Sequence, residues 1–336
     1  MKALTLAVAA LALGSMTAQA QDKPVTLRMS TWVPAQHPLN PALQAWADDI
    51  KKASGGTITA TLFPSEQLGK AFDHYDMVRD GIADLAYISP GYQPGRFPII
   101  GGAALPFLFA NAKGGTAALD AWYRPYAAEM KDIKVCMAFV HDPGTLHSTK
   151  KITLPTDIRG MKVRPATSTI GQVVTALGGT NVQASAPESR DILERGVADA
   201  ITFPWASIGL FGIDKVTRYH LDAPLYTTPY VWGMSKAAYA GMSASQKKVM
   251  DDHCTTAWAE KVASPWADFE FGGRAKLAAL PGHELVKLSP EQLLQWRKAV
   301  APAEAQWADA VKKAGQDPIA VMHALKQSLA KYKAGL

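Results

Sequence analysis

Gly160-Met161-Lys162-Val163-Arg164-Pro165-Ala166-Thr167-Ser168-Thr169 carries the clearest local signal in the chain. Met161 and Val163 fall on one side of a short strand, and Lys162 and Arg164 on the other, because side chains alternate along a strand. Pro165 biases Arg164 toward extended geometry and ends the strand. Thr167, Ser168 and Thr169 then offer N-caps for a helix over 170–177, which Gly178-Gly179 stops. A strand feeding directly into a helix is a unit of an α/β sheet, and ligands bind in the crevice beyond the carboxyl ends of such strands. A guanidinium held there is suited to gripping a planar carboxylate through two parallel hydrogen bonds. A structural surface ion pair is the competing reading of the same arginine.

Working outward, the first hundred residues repeat this grammar. Val25 to Trp32 alternates as a strand, Asn40 to Ala53 has helical periodicity, and Thr57 to Phe63 is again extended. Phe72 to Arg79 reads as helix and Ala83 to Ser89 as strand. This β-α-β-α-β order implies a mainly parallel sheet with right-handed crossovers. The segment Arg79-Asp80-Gly81-Ile82-Ala83-Asp84 is echoed by Glu194-Arg195-Gly196-Val197-Ala198-Asp199. Each copy is a helix end, a glycine stop and a strand that runs into a proline, Pro90 or Pro204. Two lobes built alike, with facing strand ends, enclose a cleft. Ile133 to Val140 reads as a strand leaving for the second lobe and Tyr230 to Met234 as one returning. Helices are expected over 117–131, 187–195, 243 to about 276, 289–314 and 317–332.

The 336 residues suffice for two sizeable cores. Residues 1–20 have the form of an export signal: Lys2, an apolar run from Leu4 to Leu13, and Ala18-Gln19-Ala20 before a cleavage point near Ala20. That run is too short to span a bilayer. The expected compartment is therefore the periplasm. Without Lys2 the net charge falls from +6 to +5, and the basic residues are scattered beside acids, so no nucleic-acid-binding stripe is expected. Cys136 and Cys254 can pair in an oxidising compartment, but their spacing leaves the question open. The chain contains no GxSxG, HExxH, Walker loop or strand-linked GxGxxG, so neither an enzyme nor a cofactor is expected. His141, Asp142 and His147 lack metal-ligand spacing.

In family order, Pro64-Ser65-x-Gln67-Leu68-Gly69, Gly81-x-x-Asp84, Leu105-Pro106-Phe107, Gly160-Met-Lys-Val-Arg164-Pro, Leu177-Gly-Gly, Glu188 and Leu193-x-x-Gly196-x-x-Asp199 resemble the extracytoplasmic solute receptors of TRAP transporters, the DctP-like family. The resemblance implies an α/β, periplasmic-binding-protein-like fold of two lobes, with crossing hinge strands and a long helix spanning both. On that basis the first lobe takes 21–142 plus about 230–270, and the second takes 143–229 plus about 271–336. It also implies an organic acid held in the cleft by Arg164 and delivered to the membrane subunits of a TRAP permease.

Two departures from the family pattern bear on the ligand. Many members carry a second basic residue where this chain has Gly144, and a Glu-Asn where it has Thr202-Phe203 before Pro204. Losing a charge while gaining an aromatic disfavours a second carboxylate. The expected ligand is thus a monocarboxylate, with an aromatic or 2-oxo/2-hydroxy acid as first choice. Trp32, Ser89, Tyr92, Phe203, Trp205 and Trp232 are candidate cleft residues beside Arg164, and His37 and His147 are candidate polar contacts. A secreted two-lobed hydrolase and the ligand-binding partner of a sensor are the rival readings.

Overall fold

Eleven strands form two sheets in the computed structural model, which describes residues 22–336; the expected export signal lies outside the described residues. The first sheet has the order β2-β1-β3-β10-β4, with β1 Val25–Ser30, β2 Ile58–Phe63, β3 Leu85–Ile88, β4 Ile133–Val140 and β10 Pro229–Ser235. The second has the order β11-β9-β5-β8-β6-β7, with β5 Thr145–Ser148, β6 Lys162–Arg164, β7 Thr180–Asn181, β8 Ala200–Phe203, β9 Tyr219–Asp222 and β11 Glu284–Lys287. Within the first sheet β1 pairs parallel with β2 and β3, and within the second β6 pairs parallel with β7 and β8. Each sheet also receives one antiparallel visitor: β10 lies between β3 and β4, and β5 between β8 and β9.

The visitors are the crossings. The chain passes from β4 to β5 through 141–144 and returns from β9 to β10 through 223–228. These two connections bond to each other where the Gly144 N–H donates to the Tyr226 carbonyl at 2.8 Å. Gly144 has no room for a side chain, because a Cβ there would lie 2.6 Å from the Phe203 carbonyl and 2.9 Å from the Tyr226 ring. A third tie is the helix Thr256–Phe271. The Cys136–Cys254 disulfide anchors its start to β4 of the first lobe, and near its end Glu270 accepts from the Ala206 N–H (2.6 Å) and the Ser207 N–H of the second.

The internal echo has a geometric basis. Gly81 and Gly196 both take left-handed φ, 72° and 64°, at the stop of a short helix, a conformation a β-carbon disfavours. The aspartate three residues later then clamps the neighbouring strand. Asp84 accepts from the Arg28 N–H at 2.8 Å, and Asp199 accepts from the Lys162 N–H at 2.9 Å. Thus β1/β3 and β6/β8 are the same device used twice.

Helix continuity is where the pattern misled. The run expected over 243–276 is three helices, Ala244–His253, Thr256–Phe271 and Gly273–Ala278. Thr255 breaks it by capping the second piece, its side chain accepting from the Trp258 N–H, while Cys254 is held by its disulfide. The 289–314 run splits into Pro290–Val300 and Pro302–Lys313 because Pro302 has no N–H to continue the first. The helix expected from Ala117 begins at Ala112, capped by Asn111, and turns 3₁₀ from Arg124. The C-terminal helix Pro318–Lys331, expected with the second lobe, packs on Ala112–Tyr123 of the first, where the Trp122 indole donates to the Val321 carbonyl at 3.1 Å. Strands β5, β9 and β11, four residues each, are not marked by a turn-bounded apolar run in the sequence.

Candidate ligand-binding site

Arg164 closes β6, and the next residues hold that strand end in place. The Ala166 N–H donates to the Thr202 hydroxyl at 2.7 Å, and the Thr167 hydroxyl accepts from the Ile170 N–H to cap the helix Ser168–Ala176. The Arg164 side chain is 1% exposed. Its Nε donates to the Ala184 carbonyl at 2.9 Å, its Nη2 donates to the Tyr92 hydroxyl at 2.9 Å, and its Nη1 stands 3.5 Å from the Thr202 carbonyl. Among the described residues no carboxylate lies within 4.0 Å of it. A buried cation ordinarily has an acid partner, because desolvating a lone charge is costly. Here the protein supplies only neutral acceptors.

The guanidinium borders a hollow between the sheets, about 360 Å³ of empty space that includes open solvent at its mouth. From the first lobe come Trp32, Val33, His37, Tyr92 and Trp266; from the second come Ala166, Ala186, Phe203, Ser207 and Phe211. The returning crossing adds Tyr226 and Thr228, and the start of β10 adds Tyr230. The aromatic walls are in mutual contact. Trp32 stacks on Tyr87 with ring centres 4.8 Å apart and lies 6.1 Å from both Tyr92 and Tyr230, and Tyr230 lies 5.6 Å from Trp266. Tyr92 binds the lobes together at the rim, since its hydroxyl accepts from Arg164 and from the Ala186 N–H at 2.9 Å.

Burial disfavours the charged form of the histidines at and behind the hollow. His37 is pushed down to about 3 and His141 to about 4. Burial raises the Tyr226 phenol, opposed by the nearby positive charge of Arg164. The Tyr226 hydroxyl has no hydrogen-bond partner among the described residues. Beneath the wall, burial raises the Glu270 carboxyl, which also accepts from the Ser207 hydroxyl and, at 2.9 Å, from the Trp266 indole.

Five of the sequence candidates, Arg164, Trp32, His37, Tyr92 and Phe203, meet at this hollow. The other four lie elsewhere. Trp232 is wholly buried in the first lobe, edge-on to Trp46 at 6.1 Å. Ser89 is buried at the end of β3 with its hydroxyl unpartnered. His147 faces away from the hollow, its Nε2 bonded to the Phe203 carbonyl at 3.1 Å and its Nδ1 to His220 at 2.7 Å, and Trp205 packs edge-on against it. Ser207, Phe211, Tyr226, Thr228, Tyr230 and Trp266 line the site without having been singled out for it. Trp266 read as helix packing, since one tryptophan on a helix does not disclose which neighbour its face meets. Tyr226 to Tyr230 had one usable signal: they lie on the crossing between lobes. Among the described residues no three His, Cys, Asp or Glu side chains gather as a metal site, and no helix is long and apolar enough to cross a membrane.

Residues 29–310 match the family of bacterial extracellular solute-binding proteins, family 7 (DctP). Among solved structures, the chain is similar to a TRAP solute-binding protein of Rhodoferax ferrireducens in complex with copurified benzoate. That pair is 27% identical, with 92% of this chain and 98% of the other covered and a TM-score of 0.85. A marine-metagenome TRAP solute-binding protein from an unidentified microbe, described as specific for aromatic acid ligands and holding 3-hydroxybenzoate, is 32% identical over 92% and 99% of the two chains, with a TM-score of 0.85. A Bordetella bronchiseptica TRAP periplasmic solute-binding protein with bound (R)- and (S)-mandelate is 29% identical over 92% and 99%, again with a TM-score of 0.85. The two-lobed fold, the cleft at facing strand ends and the family match over most of the chain lead to one conclusion: this protein belongs to the DctP family of TRAP-transporter solute-binding proteins.

Proposed function

We propose that this protein is a periplasmic receptor that captures an aromatic monocarboxylate through Arg164 and hands it to a TRAP permease. The carrying observation is the buried guanidinium with no carboxylate within 4.0 Å among the described residues, beside an aromatic hollow. A ligand carboxylate supplies a directly bonded counter-charge, where, among the described residues, the protein offers only the more distant charge of Glu188. Charge-assisted and paired, it gains a planar two-bond grip while its aromatic body displaces water from the tryptophan and tyrosine walls. Among the described residues Arg164 is the one cation lining the hollow, and the Gly144 position is closed to any side chain by Phe203 and Tyr226. A second carboxylate would be desolvated without a partner, which argues against dicarboxylates. The kinship with receptors that hold benzoate, 3-hydroxybenzoate and mandelate points to the same ligand class.

Binding draws the lobes together about the two crossings, and the closed form is what the permease recognises, by population shift between open and closed states. Mass spectrometry of acids released from freshly purified, denatured protein, followed by calorimetry with benzoate, mandelate and succinate, tests the reading. Tighter binding of succinate than of both aromatic acids overturns it.

A further inference from the structure

His37 stands out within the hollow because it is a neutral polar group with one side uncommitted. It precedes Pro38 and the helix Leu39–Ala53, and its Nδ1 accepts from the Leu39 N–H at 3.2 Å. Only 1% of the residue is exposed. With Nδ1 accepting and the ring uncharged, the proton sits on Nε2. That Nε2–H has no hydrogen-bond partner among the described residues, although the ring lines the hollow and is fixed edge-on to Trp266 at 5.1 Å. The donor is therefore neutral and held in place, on a ring that borders the space a ligand would fill.

It also belongs to the opposite wall from Arg164. Arg164 ends β6 in the second lobe, whereas His37 lies on the loop after β1 in the first. The positive charge of Arg164 acts on Tyr226 and Tyr230, while burial alone accounts for the state of His37. A ligand touching both groups has a carboxylate at one end, an apolar ring in the middle, and at the other end an oxygen that accepts a hydrogen bond. That second oxygen must be uncharged, since a neutral imidazole cannot compensate a buried anion.

We propose that His37 is a specificity-determining residue that selects ring-hydroxylated aromatic monocarboxylates over the unsubstituted acids, its Nε2–H donating to the ring hydroxyl oxygen. This rests on the Arg164–carboxylate reading above. A site built to bond a hydroxyl discriminates against the analogue lacking it, because the buried donor is otherwise left unpaired.

Calorimetry on the full mature chain tests it with benzoate, 3-methylbenzoate, 3-hydroxybenzoate and 4-hydroxybenzoate. At least one hydroxybenzoate is expected to bind about tenfold more tightly than benzoate, equivalent to about 1.4 kcal/mol. In His37→Asn and His37→Phe, the ratio of hydroxybenzoate to benzoate affinity should fall to under about twofold, whatever the change in benzoate affinity itself. Asn is chosen because its side-chain oxygen can still accept from the Leu39 N–H. His37→Gln, whose amide reaches further, should recover part of the preference. Persistence of the full preference in both Asn and Phe variants overturns the proposal. So does 3-methylbenzoate matching 3-hydroxybenzoate on the wild-type protein, a comparison that stands even if no variant folds. If instead no aromatic acid binds, or Arg164→Ala binds benzoate as well as wild type, the carboxylate-receptor reading has failed, and the two failures are distinguishable.

Discussion

Replacing Arg164 tests the proposed mechanism at its centre. The guanidinium is 1% exposed, so solvent does not screen its interaction with a bound carboxylate. Truncation to alanine leaves that carboxylate in an aromatic enclosure whose nearby polar lining, such as the Tyr92 and Tyr226 hydroxyls and Thr228, is neutral. Removing one partner of a buried, hydrogen-bonded charge pair costs about 2–5 kcal/mol. For a ligand held at about 1 μM in the wild type, the dissociation constant of Arg164→Ala should rise to between about 30 μM and 5 mM. Arg164→Lys keeps the charge but loses the planar fork and the simultaneous bonds to Ala184 and Tyr92, so an intermediate loss of about 1–2 kcal/mol is expected. Folding should suffer much less in Arg164→Met, because the cation it removes has no acid partner within the described protein and the methionine refills the space. Isothermal calorimetry with benzoate or its hydroxylated analogues reads the binding effect, and urea melts of the unliganded proteins read the stability. A dissociation constant for Arg164→Ala within about twofold of wild type would refute the reasoning, since a bystander arginine would then be sitting beside the ligand.

Three further outcomes follow from the architecture. The Cys136–Cys254 disulfide closes a loop of 118 residues, so Cys136→Ser with Cys254→Ser should lower unfolding free energy by about 4–5 kcal/mol on the chain-entropy model, measured by urea melts with and without reductant. His37 and His141 have folded pKa values of about 3 and 4, below the unfolded value of 6.5, so the unfolded chain takes up protons first. Their contribution is complete above pH 6.5 and is lost as the pH falls below it, about 2–3 kcal/mol each by pH 4.5, which melts at pH 7.5 and 4.5 will show; equal stability at both would count against these buried neutral states. Glu270→Gln keeps one accepting oxygen and turns the other into NH2, which then faces either the Ala206 N–H or the Trp266 indole without bonding it. It should cost about 1–3 kcal/mol of stability and weaken ligand binding as the wall loosens, read by melts and calorimetry on one preparation.

The sequence alone determined the parts of this protein that depend on neighbours in the chain. Met161 to Thr169 spell a strand, a proline stop and a capped helix, and those local preferences put Arg164 at a strand tip. The repeated glycine-to-aspartate turn is equally local, which is why both copies could be read and then found clamping β1 and β6 in the same way. The resemblance to TRAP receptors was legible for the same reason, being carried by short ordered motifs. What the tertiary structure decided involves residues far apart in sequence. Periodicity registers that Trp266 and Trp232 are apolar but not what they face; one lines the hollow and the other fills a core, because helix Thr256–Phe271 spans both lobes while β10 is sandwiched between β3 and β4. Spacing was equally silent on the cysteines, whose pairing depends on a helix start meeting β4 across 118 residues. That no carboxylate among the described residues comes within 4.0 Å of Arg164 is likewise visible only in three dimensions. A charge's partner is set by distance through space, and the chain brings its neutral acceptors, Ala184, Thr202 and Tyr92, from three separate segments.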